Sequence, residues 1–96
     1  MDVTVYRCRG GKVERQVISG CHLEVTENWQ QDPSFFLAAP GERKCVFVGD
    51  RILPGIGPQV DDWSRFVPAL VPGLLIPTYA KAYYLDGTHH HTEAGH

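Results

Sequence analysis

Long apolar runs are missing from this chain of 96 residues: none exceeds five residues, so no helical bilayer span is expected. A dominant charge is missing too. Nine Lys and Arg against eleven Asp and Glu leave a formal charge of −2, which gives no electrostatic reason to expect nucleic acid or an acidic membrane as partner. Cysteine is sparse: Cys8, Cys21 and Cys45 are odd in number and far apart, unlike the dense, even set of a secreted disulfide scaffold. They read as three reduced, partly buried thiols. Residues 1–4 lack the basic and apolar regions of a signal peptide, so cytoplasmic synthesis is the default expectation. No internal repeat or low-complexity linker interrupts the chain, and its length suits one domain, 1–96, with a thin core.

Proline and glycine, by contrast, are concentrated. Residues 49–77 hold Pro54, Pro58, Pro68, Pro72 and Pro77, five of the seven prolines, and four of the ten glycines. This density leaves room for one short helix at most. The same stretch is apolar, with Ile52, Leu53, Ile56, Trp63, Phe66 and Leu70 among its side chains. A disordered linker would be polar. These side chains must be covered, either by the rest of a small domain or by another protein.

The first half alternates with period two, the signature of half-buried strands, over residues 2–8, 12–19 and 21–28. Gly10-Gly11 suits the positive φ angles of a tight hairpin, and Gly20 breaks the second run. Residues 30–33 read as polar loop. Two further short β-favouring runs, 34–38 and 44–48, are joined by the turn signal Pro40-Gly41. A helix is expected over 62–67, capped by Asp61 and ended by Pro68, with Trp63, Phe66 and Val67 on one face. Residues 78–85 read as a tyrosine-rich strand, and Asp86-Gly87 turns the chain into a His-rich end, 88–96. The expected fold is mainly β: a small antiparallel β-barrel or sandwich with one short helix and a long Pro/Gly-rich loop at about 49–77. Residues 52–60 are expected to extend from it and to be ordered by neighbouring subunits.

Candidate chemistry is thin. His89, His91 and His96 are the residues a metal would use, but consecutive histidines on a strand alternate faces and no Cys-x-x-Cys accompanies them. No metal or cofactor is expected. Cys21 or Cys45 with a histidine could form a nucleophilic pair, yet neither has a helix N-terminus to activate it. Gly55-Ile56-Gly57-Pro58 lacks the Gly-Lys-Ser/Thr ending of a phosphate loop. No catalytic residue is assigned. Trp63 and Phe66 could anchor either the subunit's own core or a partner's pocket.

Several stretches together resemble a known group. They are Val3-Thr4-Val5-Tyr6, the run ending Ile18-Ser19-Gly20, then Val46-Phe47-Val48-Gly49-Asp50-Arg51-Ile52, Gly57-Pro58 leading to Asp62-Trp63, and the terminal His91-Thr92-Glu93-Ala94-Gly95. In this order they are similar to small minor capsid or head–tail connector proteins of long-tailed bacteriophages. The resemblance implies a virion protein made in the host cytoplasm, a head-completion or stopper subunit that forms a six- or twelve-fold homo-oligomeric ring. Its partners would be other connector proteins such as the adaptor and the tail-completion protein. DNA would pass through the channel without sequence-specific binding, and no membrane is involved. Ile52, Leu53, Ile56, Trp63, Phe66 and Leu70 are then the expected interface. Two neighbouring readings are a tail-terminator or other minor virion protein, and a small metal-binding domain using the His-rich end. A small enzyme using Cys21 or Cys45 is a third.

Overall fold

The computed structural model describes residues 1–26 and 34–96. Among them are seven strands: β1 (Val3–Arg9), β2 (Lys12–Ile18), β3 (His22–Thr26), β4 (Ser34–Pro40), β5 (Arg51–Pro54), β6 (Tyr79–Leu85) and β7 (Thr88–Gly95). They form two antiparallel sheets, ordered β2-β1-β5 and β3-β4-β7-β6. The sheets pack face to face as a sandwich, and among the described residues no barrel closes. The β1–β2 hairpin turns at Gly10 and Gly11, whose φ angles of 55° and 79° a residue with a Cβ adopts only at a cost.

Alternation places Val3, Val5, Ile18 and Ile52 of the first sheet against Phe35, Leu37, Ala39 and Ala94 of the second. This is the main core. A second core lies on the opposite face of the first sheet, where Tyr6 and Leu53 meet Phe66 and Leu74. Residues 3–6 of β1 are therefore buried on both faces, although their sequence alternates.

The Pro/Gly-rich stretch is what covers that second face, and this corrects an expectation. Residues 52–60 do not extend away. Arg51–Pro54 pairs with β1, and Ile52 also exchanges backbone hydrogen bonds with Leu75 at 2.8 Å each way. Beyond it the chain is clamped to the sheet: the Thr4 hydroxyl donates to the Gly55 carbonyl and accepts from the Gly57 amide, both at 2.8 Å. The Tyr6 hydroxyl donates to the Pro58 carbonyl at 2.7 Å, and Arg15 donates twice to the Gly57 carbonyl. A strand formed here because Arg51 to Leu53 precede Pro54, which a strand end tolerates.

The expected helix over 62–67 is a single 3₁₀ turn, Trp63–Arg65, capped by Asp62 rather than Asp61. Only four residues lie between the cap and Val67, whose geometry Pro68 restricts, and the turn takes three of them. Residues 44–48 are not a strand. There the Asp50 carboxylate accepts from the Phe47 amide at 2.9 Å while the Phe47 carbonyl accepts from the Asp50 amide at 3.1 Å, making a turn. The His-rich end is no tail: Thr88–Gly95 is an interior strand between β4 and β6. The polar loop expected at 30–33, and the last positions of the strand expected over 21–28, lie outside the described residues.

The segment between β4 and β5 is fastened to both sheets. Arg7 of β1 grips the buried Asp50 carboxylate with two hydrogen bonds of 2.8 and 2.6 Å, and its guanidinium lies 4.4 Å from the centre of the Phe47 ring. Bonding to Asp50 raises the Arg7 pKa further. From β7, the Thr92 hydroxyl accepts from the Cys45 amide at 3.2 Å.

Candidate functional site

The β6–β7 hairpin presents exposed apolar side chains to a partner. Asp86 and Gly87 turn it with φ angles of 51° and 79°, the left-handed pair that a two-residue hairpin loop requires. β4 pairs with β7 only from Gly95 back to His91, whereas β6 accompanies β7 all the way to Thr88. The hairpin therefore overhangs the sheet as an arm. At its tip Tyr84 and Leu85 are 65% and 62% exposed. A β-bulge between Tyr83 and Tyr84 marks where the arm leaves the regular sheet.

The arm is held by its rings. Tyr83 stacks on His91 across the strands, with centroids 5.0 Å apart and planes within 6°. Tyr84 meets His89 edge to face at 5.5 Å, and His89 Nδ1 donates to the Gly41 carbonyl at 2.8 Å. His91 Nε2 hydrogen-bonds to the Glu93 carboxylate at 2.7 Å, and its Nδ1 lies 2.9 Å from Nδ1 of His90. The outer face of the four-stranded sheet continues this decoration with Phe36, Lys81 and Tyr79. Tyr79 lies over Gly95, where an added Cβ would come within 2.5 Å of its hydroxyl.

Among the described residues no three His, Cys, Asp or Glu side chains are placed to hold a metal ion. Both ring nitrogens of His91 are engaged within the arm, by His90 and Glu93, while His89 uses Nδ1 on the Gly41 carbonyl and its buried Nε2 has no partner among the described residues. His96 joins β4 instead through its backbone, exchanging bonds of 3.1 Å with Phe35. Neither thiol considered for catalysis is activated. Burial pushes Cys21 from its ordinary 9.0 up to about 11, and burial also raises Cys45 despite its contact with Thr92.

The six residues expected at an interface separate into three sets. Ile52, Leu53 and Phe66 are core residues, because the segment that carries them forms a strand and a cover over the first sheet. Trp63 is half-buried, packed on the second core with the Arg51 guanidinium 3.9 Å from the centre of its ring. Ile56 and Leu70 remain open, at 70% and 59% exposure.

No protein-family model and no solved structure matches the chain. Among curated proteins it is similar to the CRM-domain containing factor CFM2, chloroplastic, of Arabidopsis thaliana, with 41% identity over 44 residues. The match takes in 46% of this chain and 4% of that protein, so it assigns no family.

The strand over 78–85 and the Asp86-Gly87 turn are expected from the sequence, but residues 88–96 read there as a His-rich end and not as the partner strand that completes the arm. Its signal was present: Asp86-Gly87 between two runs of aromatic and β-branched or polar residues is a hairpin pattern.

Proposed function

We propose that this chain is a structural subunit of a multi-copy assembly, a head–tail connector component of the stopper or head-completion kind that its sequence resembles. The overhanging arm with Tyr84 and Leu85 at its tip carries the reading, because large apolar side chains held in the open by a built scaffold suit docking. Ile56 and Leu70, displayed on a segment clamped to the first sheet, supply further apolar contact area. The subunit works by packing against its neighbours, and a ring needs heterologous contacts in which unlike surfaces of successive copies meet. The adaptor above and the tail-completion protein below are the expected neighbours, with DNA passing through the channel. The test is the mass of the purified chain by light scattering after gel filtration. The expected result is a closed species of six or twelve copies of the 10.7 kDa chain. A chain that stays single across the concentration range, and gains no partner when mixed with connector proteins, overturns the reading.

A further inference from the structure

We propose that successive copies join by continuing the four-stranded sheet, the outer edge of β6 in one copy hydrogen-bonding to the outer edge of β3 in the next. This rests on the ring reading above and names its seam.

The strand order β3-β4-β7-β6 is antiparallel throughout, so its two edge strands run in opposite directions. Copies related by rotation about an axis along the strands keep their sense. β3 of one copy then meets β6 of its neighbour antiparallel, and the sheet continues without a change of pattern.

Backbone polarity selects which residues meet. Phe35 and His96 exchange hydrogen bonds, which turns His96, Ala94 and Thr92 toward β4 and the alternate residues Gly95, Glu93 and His91 toward β6. Tyr79, Lys81 and Tyr83 answer these three, so the N–H and C=O groups of Ala80 and Ala82 point outward. On the other edge Cys21 exchanges bonds of 2.9 Å with Met1, on the side away from β4. By alternation Leu23 and Val25 point their backbone groups outward as well.

Pairing outward groups with outward groups sets Ala82 opposite Leu23 and Ala80 opposite Val25 of the next copy. The same register sets Lys81 opposite Glu24, Tyr83 opposite His22 and Tyr79 opposite Thr26. Lys81 and Glu24 both stand on the outer face, where they form a cross-strand ion pair of the kind that favours one register. A slide by two residues puts Lys81 against His22 or Thr26 and loses the pair. On the inner face two alanines meet a leucine and a valine, small against large. The bulge after Tyr83 falls just past the last pair, where β3 also begins. Pairing β3 centrally with itself, by contrast, opposes Glu24 to Glu24.

The experiment is native mass spectrometry at low ionic strength on the wild-type chain and on Ala82→Pro, Lys81→Glu, Glu24→Lys and the double reversal K81E/E24K, with thermal melts alongside. Ala82→Pro removes an outward N–H and no internal hydrogen bond. The expected results are a multi-copy wild type, single-copy Ala82→Pro with an unchanged melt, at least ten-fold weaker assembly for each reversal, and recovery in the double reversal. Wild-type assembly by folded Ala82→Pro overturns the seam and leaves the ring reading standing. If Ala82→Pro fails to fold, the reversals decide, and a double reversal that does not recover overturns the seam. A two-copy species that grows no further also overturns it. A wild-type chain that stays single overturns the ring reading, and the seam with it.

Discussion

Replacing Phe66 by alanine tests whether the Pro/Gly-rich segment is a working part of the core. Phe66 is 4% exposed and packs edge to face on Tyr6 with ring centroids 4.6 Å apart. Truncating a buried phenylalanine costs about 3–5 kcal/mol in lost transfer energy and residual cavity. The site resists collapse, because Tyr6 is tied to Pro58 and the backbone behind it belongs to the central strand of the sheet. Against a total stability of roughly 5–15 kcal/mol, the loss is a large fraction. In a domain of this size each kcal/mol lowers the melting temperature by roughly 4–8 °C, so a fall of at least about 12 °C is expected. Amide exchange should localise the damage. The Gly57 amide, which is buried and donated to Thr4, should lose protection well before the amides of β4 and β7. A melting temperature within about 4 °C of wild type would show that the second core contributes little, and would refute the reasoning.

Three further outcomes are expected. Asp50→Ala leaves the Arg7 guanidinium without its partner and should destabilise the fold by about 3 kcal/mol in a denaturant titration; a loss under about 1 kcal/mol contradicts a buried, bonded pair. Cys21 ionises near 9.0 in the unfolded chain but is held neutral by burial up to about 11 in the fold. Its contribution to stability is whole below pH 9 and is lost as pH rises to 11, and Cys21→Ala should flatten that slope in melts recorded across this range. Gly95→Ala forces a Cβ to within 2.5 Å of the Phe35 carbonyl oxygen and the Tyr79 hydroxyl, and should cost about 1–3 kcal/mol. Adding Tyr79→Ala should restore part of that loss, and no restoration would remove Tyr79 from the explanation.

Much of the fold was legible where alternation and turn residues agreed. Gly10-Gly11 located the first hairpin, the period-two runs placed β1 and β2, and the β-favouring and tyrosine-rich runs placed β4 and β6, each within two residues of its ends. Legibility failed where a local signal had two physical outcomes. Val46, Phe47 and Val48 favour strands by type, but the Asp50 carboxylate captures the Phe47 amide and makes a turn. Arg51 to Leu53 were masked by the prolines around them, since a four-residue strand leaves little periodicity to detect. Nothing local distinguishes Ile52 and Leu53 as core from Ile56 as surface. The difference comes from pairing with β1, a contact distant in sequence. The arm depended on knowing where β4 stops, which no property of residues 79–95 records.

β7 is the latest strand in chain order, yet it occupies an interior place between β4 and β6. During synthesis β4 is finished long before its inner neighbour exists. In that interval β4 presents an unsatisfied edge together with Phe35 and Leu37, which later become core. Sheets closed by such distant partners fold slowly, in milliseconds to seconds, so the nascent chain spends its most adhesive period waiting for its last strand. The yield of correctly folded protein is then set by a race between the arrival of β7 and aggregation through the exposed edge of β4.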